Sequence, residues 1–320
     1  MNNITQELRK QAKKLLEDQV VQLIIGYGAG SDPFRVTPVF IRNPEHIETL
    51  IWNPFCVNNL AKYLTEYKYL PGKIAIVIKG CDSRSINRLI QDNQIARDKI
   101  ILLGIPCSGM LEVGKVTQKT GYKLEITEFS EQDQEYTLQT SEGNFNFDKK
   151  DSLVGKCYSC NNHNPVVYDL LLSPKVSENS SATTYSEIEK LEKLTIEEKS
   201  KYWDQYFSRC LRCYACRNVC TVCTCQKCIF NMAKPAWVDR INNLSNNTSF
   251  HLIRAFHVAG RCVDCGECDR VCPVNIPLSH LNRKILKDLQ ELYDAPIPGA
   301  DATTEPALGC FVTEDPEEFM

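Results

Sequence analysis

The alternation of apolar and polar residues divides the chain into two parts of different character. In the first part, three short apolar runs rich in β-branched residues are typical of buried strands, VVQLIIG (20–26), KIAIVIK (73–79) and KIILLGI (99–105). Segments with helical spacing of apolar residues, such as SRSINRLIQDNQ after the second run, lie between them. This order predicts an α/β domain with parallel strands over residues 1–172.

Two further segments of this part alternate in places between apolar and polar residues. YKLEITEF (122–129) and EYTLQTSEGNFNF (135–147) therefore predict a small antiparallel sheet. The polar stretch SPKVSENSSATTYS (173–186) predicts a linker, and a charged helix follows it, so that residues 173–200 form the connection to the next domain.

The second part of the chain has a helical pattern. Apolar spacing predicts helices in AWVDRINNL (236–244), SFHLIRAFHVAG (249–260) and LSHLNRKILKDLQELY (278–293). We therefore expect a mainly α-helical domain over residues 201–292. Residues 293–320, rich in proline and acidic residues, predict an extended tail anchored on a partner or on the first domain by Leu308 and Phe311. The alternative is a plain solvated end.

Composition narrows the class of protein. The net charge of −3 and the pI near 6.0 argue against a nucleic-acid partner, because nucleic-acid-binding proteins usually carry a basic face. No apolar run approaches the roughly 20 residues of a membrane-spanning helix, and the N-terminus indicates an amphipathic helix instead of a secretory signal. We expect a cytoplasmic protein without a transmembrane segment.

Cysteine is the unusual component, with 17 residues in 320. The odd number and the clustering at short spacings argue against a disulfide framework. In a reducing cytoplasm, clustered cysteines indicate metal ligation.

Two cysteine blocks have the spacing of a bacterial ferredoxin. CVDCGECDRVCP (262–273) is C-x2-C-x2-C-x3-C-P, and the first block repeats the spacing from Cys210 to Cys220, with Thr221 in place of the proline. In such a run three cysteines bind one four-iron cluster and the fourth binds the other cluster. The spacing therefore predicts one cluster on Cys210, Cys213, Cys216 and Cys272, and a second on Cys262, Cys265, Cys268 and Cys220.

Structural zinc is the alternative for these eight cysteines. A zinc ion takes four ligands and would not need the crossed pattern of two blocks. The blocks begin 52 residues apart with helical sequence between them. This arrangement resembles the α-helical ferredoxin domains of fumarate reductase iron–sulfur subunits and heterodisulfide reductase small subunits.

The first part of the chain carries three further cysteine segments, KGCDSRSINRLI, LLGIPCSGM and KCYSCNNHNP. Their order over residues 20–170 resembles the beta-subunit family of coenzyme F-420-reducing hydrogenase and deazaflavin-dependent formate dehydrogenase. The resemblance implies a third four-iron cluster held by Cys81, Cys107, Cys157 and Cys160. The alternative is that Cys81 and Cys107 are small buried hydrophobic residues.

The same family binds FAD and transfers hydride between it and the deazaflavin. After its CxxC loop the family usually has a glycine, whereas this chain reads NNHNPVVYDLLLS without one. The segment GYGAG, with Gly26, Gly28 and Gly30, is the candidate turn for a flavin phosphate. The alternative is that it only reverses the chain.

Five cysteines remain outside these sets, namely Cys56, Cys223, Cys225, Cys228 and Cys310. The three in CTCQKC could complete a fourth cluster with Cys56 or Cys310, or serve as alternative ligands of the first. The histidines at positions 46, 251, 257 and 280 fall on helical patterns, and we predict no function for them.

Several clusters without a nucleophile, an acid–base pair or a phosphate loop indicate an electron relay. We predict an iron–sulfur subunit of a cytoplasmic oxidoreductase with at least two 4Fe-4S clusters, three with the family-implied set. Its partners would be catalytic and electron-accepting subunits of the formate dehydrogenase, hydrogenase or heterodisulfide-reductase type. The alternatives are an FAD-containing, deazaflavin- or nicotinamide-dependent dehydrogenase beta subunit, and a cluster-bearing scaffold or sensor.

Overall fold

The computed structural model describes residues 2–121, 126–132, 135–177, 185–305 and 307. The chain divides into two compact units, one of Met1–Ile86 with Asp92–Thr183 and the other of Asn87–Gln91 with Thr184–Met320. The first unit is α/β and the second is mainly helical, so the predicted fold class is confirmed.

A five-stranded sheet forms the centre of the first unit. Its strands are β1 (Leu23–Ala29), β2 (Val36–Ile41), β3 (Ile74–Ile78), β4 (Ile100–Gly104) and β8 (Leu170–Leu171), in the order β2-β1-β3-β4-β8. All neighbouring pairs are parallel except β1 with β2. Every residue of β3 is buried, which explains its unbroken apolar sequence.

Helices and a second sheet complete this unit. The helices are α1 (Asn2–Glu17), α2 (Ala61–Leu64), α3 (Gly80–Gln91), α4 (Val113–Thr120) and α5 (Lys149–Ser152). The predicted antiparallel sheet is formed by β5 (Ile126–Gln132), β6 (Glu135–Thr140) and β7 (Gly143–Asp148). Its strand β6 buries Tyr136 and Leu138, so one face of this sheet is apolar.

The second unit contains α6 (Ser186–Glu192), α7 (Ile196–Phe207), α8 (Ala215–Asn218), α9 (Leu244–His257), α10 (Glu267–Arg270) and α11 (Leu278–Tyr293). Its core combines aromatic residues such as Phe207 and Phe250 with the thiols of Cys210, Cys216 and Cys268. The cysteine blocks are therefore part of the packed interior of this unit.

Two helix predictions were wrong in detail. The charged helix is divided in two because Thr195 begins α7 with a capping box, accepting from the Glu198 N–H while the Glu198 carboxylate accepts from the Thr195 N–H. AWVDRINNL contains no helix before Leu244, and Trp237 within it is exposed. The segment Pro44–Thr49 is a 3-10 helix.

None of the described helices is long and apolar enough to cross a membrane. Of the predicted tail, residues 294–305 and 307 are described, without a helix or strand, and Leu308 and Phe311 lie outside the described residues. The same holds for half of the predicted linker, from residue 178 to residue 184.

Candidate metal centres

The first ferredoxin block wraps a small cavity of the second unit. Cys210 follows the end of α7 and Cys216 lies in α8, and the backbone between them turns tightly because Arg212 and Tyr214 both have positive φ, at 51° and 61°. The cavity is lined by the thiols of Cys210, Cys213, Cys216 and Cys272. Cys272 belongs to the other block, so the structure brings together the four residues predicted to bind the first cluster. We call these four residues the first set.

The second block repeats the same local geometry. Asp264 and Gly266 have positive φ, at 53° and 65°, and they hold the positions relative to Cys262 that Arg212 and Tyr214 hold relative to Cys210. Short helix α10 then carries Cys268, as α8 carries Cys216. The same spacing therefore produces the same turn and helix in both blocks.

Cys220 of the first block lies beside the thiols of the second block. Burial raises the pKa of Cys262 to about 12 and that of Cys265 well above its ordinary value, and in both cases the neighbouring Cys220 thiol contributes. For Cys268 burial again raises the pKa, with contributions from Cys262 and Cys265. Cys220, Cys262, Cys265 and Cys268, which are predicted to bind the second cluster, therefore lie together. We call these four residues the second set.

Burial makes several of these thiols poor anions in the absence of a positive partner. It raises the pKa of Cys216 to about 11, and the thiols of Cys210, Cys213 and Cys272 add to the effect. Iron binds the thiolate form. Two groups of four neighbouring thiols are therefore suited to a metal cluster, which would supply the missing positive charge.

Several N–H groups point at cysteine sulfurs of the first set. The Arg212 N–H lies 3.4 Å from Cys210 Sγ, and the Ile276 N–H lies 3.3 Å from Cys272 Sγ. His251 Nε2 is 3.2 Å from Cys210 Sγ. Burial, with the charges of Arg254 and Arg212, lowers the pKa of His251 to about 3, so the ring is neutral and can donate from Nε2.

The remaining cysteines of this unit have different environments. Cys223 donates to the Cys220 sulfur, and this bond is the main reason that the pKa of Cys220 is lowered to about 5. Cys225 is exposed, and Cys228 packs half-buried against the aromatic core. The structure thus brings Cys223 close to the second set.

Four of the five cysteines of the first unit meet at the carboxyl edge of the parallel sheet. Cys81 lies in the first turn of α3, directly after β3, and Cys107 follows β4. Burial raises the pKa of Cys107, with Cys157 as the next cause, and it raises that of Cys81 to about 12, with Cys160 contributing. The Cys107 N–H donates to the His163 carbonyl at 2.8 Å and so ties the CxxC loop to β4.

A lysine is buried beside this group. The Lys79 ammonium donates to Asp82 Oδ2 at 2.9 Å, to the Asn58 carbonyl at 2.8 Å and to the Tyr27 hydroxyl. Burial opposes its charge, but Asp82, followed by Cys81 and Cys107, outweighs this and raises the pKa of Lys79.

Cys56 belongs to the same unit, and the hydrogen bonds described for it are with Asn53 and Ile51, not with another cysteine. It is fully buried, and its sulfur accepts from the Asn53 N–H at 3.4 Å. Cys56 and the three cysteines of CTCQKC belong to different units.

Among the described residues, no three His, Cys, Asp or Glu side chains are arranged to hold a single metal ion. A four-iron cluster makes a different demand, because each thiolate binds a different iron atom and the four sulfurs therefore lie farther apart than the ligands of one ion.

The prediction that GYGAG forms a turn was wrong. Gly26 and Gly28 lie inside strand β1. A Cβ at Gly26 would be 2.4 Å from the side chain of Leu50, and one at Gly28 would be 2.4 Å from that of Val39. Both glycines therefore make room for neighbouring side chains, and Gly30 does so for the backbone of Arg35. The glycines do not form a phosphate-binding turn.

Comparison with known proteins agrees with this geometry. The 4Fe-4S dicluster domain family matches residues 206–276, which contain both blocks. The chain is 23% identical to the beta subunit of a coenzyme F-420-dependent formate dehydrogenase from Methanocaldococcus jannaschii, over 92% of this chain and 91% of the relative. It is also 23% identical to the corresponding formate dehydrogenase 1 subunit from Methanococcus maripaludis, over 93% and 91%.

The predicted resemblance to the beta-subunit family is confirmed. Among solved structures, a chain of the coenzyme F-420-reducing nickel–iron hydrogenase complex from Methanosarcina barkeri matches 51% of this chain and 63% of its own length. The sequence identity is 16% and the TM-score 0.41.

Sequence reasoning missed the charged and polar residues that surround the thiols. Lys79, His251 and Arg254 stand in ordinary strand and helix patterns, and only their contacts reveal a role. One signal was available for Lys79, which ends an otherwise apolar buried strand directly before the GC pair.

Proposed function

We propose that this chain is the electron-transferring iron–sulfur subunit of a multi-subunit oxidoreductase. The observation that carries the proposal is the crossed arrangement of the two cysteine blocks, in which each set takes its fourth thiol from the other block. Such crossing is the known geometry of paired four-iron clusters and has no use in a pair of zinc sites.

The residues present fit two clusters in the second unit. Each set offers four thiols, which is the full ligand number of a four-iron cluster. Burial raises the pKa of Cys216 in one set and of Cys265 in the other, and bound iron would reverse this effect. When bound, such clusters accept and release single electrons. The ligands would be Cys210, Cys213, Cys216 and Cys272 for one, and Cys262, Cys265, Cys268 and Cys220 for the other.

The surrounding residues have two tasks. Phe207 and Phe250 exclude water from the first set. The Arg212 and Ile276 N–H groups and the neutral His251 ring donate to its sulfurs, which stabilises negative charge there. The chain thus controls the potential through burial and hydrogen bonds, which are the usual means available to a protein.

A third cluster belongs to the proposal as well. Cys81, Cys107, Cys157 and Cys160 act on one another electrostatically at one edge of the sheet. The alternative, that Cys81 and Cys107 are only small apolar residues, does not account for the position of Cys160 near Cys81 and of Cys157 near Cys107.

The names of the relatives support a proposal about partners. Because the two relatives are named as subunits of formate dehydrogenases, we propose that this chain joins a catalytic subunit to an electron acceptor in the cytoplasm. The alternative is an FAD-containing dehydrogenase beta subunit. One measurement distinguishes it from an electron-transferring subunit without flavin, namely the flavin absorbance and fluorescence of the supernatant after acid release.

Iron content tests the number of clusters. Protein prepared without oxygen should contain about 12 iron atoms per chain if all three sets are filled and about 8 if only the two ferredoxin sets are filled. A content far below about 8 would overturn the proposal.

A pair of variants tests the crossing. Cys220→Ala should remove the paramagnetic resonance signal of the cluster on the second block, although Cys220 belongs to the first block. Cys225→Ala is the matched control, because Cys225 lies in the same segment but is exposed. A loss confined to the Cys210–Cys216 cluster would contradict the crossed ligand sets.

A further inference from the structure

Arg254 is a buried cation in the middle of the second unit. It lies near the end of α9, between the two cysteine blocks in sequence, and is 3% exposed. Its Nη2 donates to the Cys216 carbonyl at 3.0 Å, while its Nε has no hydrogen-bond partner. A guanidinium stays protonated in proteins, so this position holds a permanent positive charge.

The groups around Arg254 come from both cluster sets. Its hydrogen bond to the Cys216 carbonyl places it against the first set. It also interacts electrostatically with Cys262 and Cys268, which belong to the second set. Arg254 is therefore close to both sets at once.

The negative partners available to Arg254 are cysteine sulfurs. The groups that interact most strongly with its charge are Cys220, Cys268, Cys223 and Cys216. Within the described part of the chain, no carboxylate makes an ion pair with Arg254. A buried charge without a counter-charge is strongly unfavourable, so the site requires negative charge on the sulfur side.

We propose that Arg254 sets the reduction potentials of both clusters of the second unit, by placing one fixed positive charge between them. The proposal rests on the proposed function, since it assumes that both cysteine sets hold four-iron clusters. Reduction adds one electron to a site, supplied in the experiment by dithionite, and breaks no bond. The negative charge of that site increases by one, and the nearby guanidinium favours this more negative state in a low-dielectric interior.

His251 provides an internal comparison. Its Nε2 contacts Cys210 Sγ of the first set. Removing this donor should therefore lower the potential of one cluster, whereas removing the charge of Arg254 should lower both potentials.

The test is a redox titration followed by paramagnetic resonance on four variants of the full chain. Arg254→Gln removes the charge, and Arg254→Lys keeps it. His251→Leu removes the single-set donor. Arg209→Gln is the matched control, because it removes the same charge one residue before Cys210 but from an exposed side chain. The signals are assigned to the two clusters with Cys220→Ala.

We expect Arg254→Gln to reduce the equilibrium constant for reduction of both clusters by about tenfold or more, which is about 59 mV for a one-electron couple. Arg254→Lys should retain most of the native values, and Arg209→Gln should change them little. His251→Leu should affect one cluster.

Unchanged potentials in Arg254→Gln, or a change in one cluster only, would overturn the proposal. If Arg254→Gln loses its clusters, Arg254→Lys decides, since loss of the clusters there too would mean that geometry and not charge is required. Absence of the two signals from the unaltered protein would instead contradict the proposed function itself.

Discussion

Both units place one buried cation beside cysteine thiols, but they treat its charge differently. In the first unit Lys79 is paired with Asp82, and both side chains are almost completely buried. In the second unit Arg254 has a backbone carbonyl and thiols around it. The first cation is neutralised within three residues of the chain, and the second keeps its charge available to the neighbouring sites.

The two cations therefore have different roles. Lys79 fixes the position of a backbone segment, whereas Arg254 influences the electrostatics of the neighbouring cysteine sets. The Asp82 carboxylate also accepts from the Lys79 N–H at 2.8 Å, so the pair joins the end of β3 to the first turn of α3, where Cys81 lies. A buried pair of this kind fixes geometry more than it contributes net stability. An unpaired buried charge does the opposite, because its field reaches whatever lies nearby.

The comparison depends on the first unit having a cluster at all, and Cys157→Ala tests this most strongly. We expect a loss of about four iron atoms per chain, with both ferredoxin signals intact. Cys56→Ala is the control in the same unit, because the described contacts of Cys56 are with Ile51 and Asn53. Iron content that is equal in the two variants would leave the second unit as the only cluster-bearing part.

Breaking the buried pair of the first unit should have the next largest effect. Lys79→Met leaves Asp82 buried without its cation, and we expect a loss of about 3–5 kcal/mol in the stability of this unit. Hydrogen exchange of the β3 and β4 amides, followed by mass spectrometry, measures this.

The double variant Lys79→Met/Asp82→Asn is the matched control for that change. It should recover much of the lost stability, because neither charge remains buried and the amide oxygen can still accept from the backbone. Equal protection in the single variant and the native chain would show that Lys79 is not neutralised by Asp82 as the contacts indicate.

The helical unit should depend on smaller local contributions. Thr195→Ala removes the capping box of α7, the helix that leads to Cys210, and should cost about 1 kcal/mol. Thr195→Ser keeps the hydroxyl and should cost much less. Urea unfolding followed by circular dichroism compares the two, and an equal loss in both would exclude the cap as the cause.

The smallest expected effect concerns pH. Hydrogen bonds from Lys284 and Lys287, both 2.7 Å from the Glu192 carboxylate, lower the pKa of Glu192. Because the folded pKa lies below the unfolded value of about 4.3, this stability is present above that pH and is lost as pH falls through the folded pKa.

A Glu192→Gln variant should therefore lose slightly less stability than the native chain between about pH 5 and pH 3. The effect is small because the carboxylate is partly exposed and screened. Parallel urea titrations at several pH values measure it, and identical pH profiles would show that the ion pairs around Glu192 contribute nothing.

Elements that depend on interactions local in sequence were predicted well from the sequence, and those that depend on tertiary packing were not. Helix Leu278–Tyr293 and strand Ile74–Ile78 were predicted closely because their patterns are long or strongly β-branched. AWVDRINNL has helical spacing but is too short and too polar to choose a helix without packing, and Trp237 remains exposed. The apparent glycine turn became part of a strand because neighbouring side chains occupy the space beside Gly26 and Gly28.

The sequence by itself determined the chemistry of the metal-binding blocks. Ligand spacing is a local property of the sequence. The two blocks share the spacing C-x2-C-x2-C-x3-C, and the turns at Arg212 and Asp264 have the same backbone form, with positive φ at both residues. Only the tertiary structure decided what surrounds the thiols. Arg254 is about forty residues from Cys216 in sequence, and helix packing brings the two residues together. The pattern of apolar and polar residues does not predict this contact, because it does not distinguish a buried arginine of a helix from an exposed one.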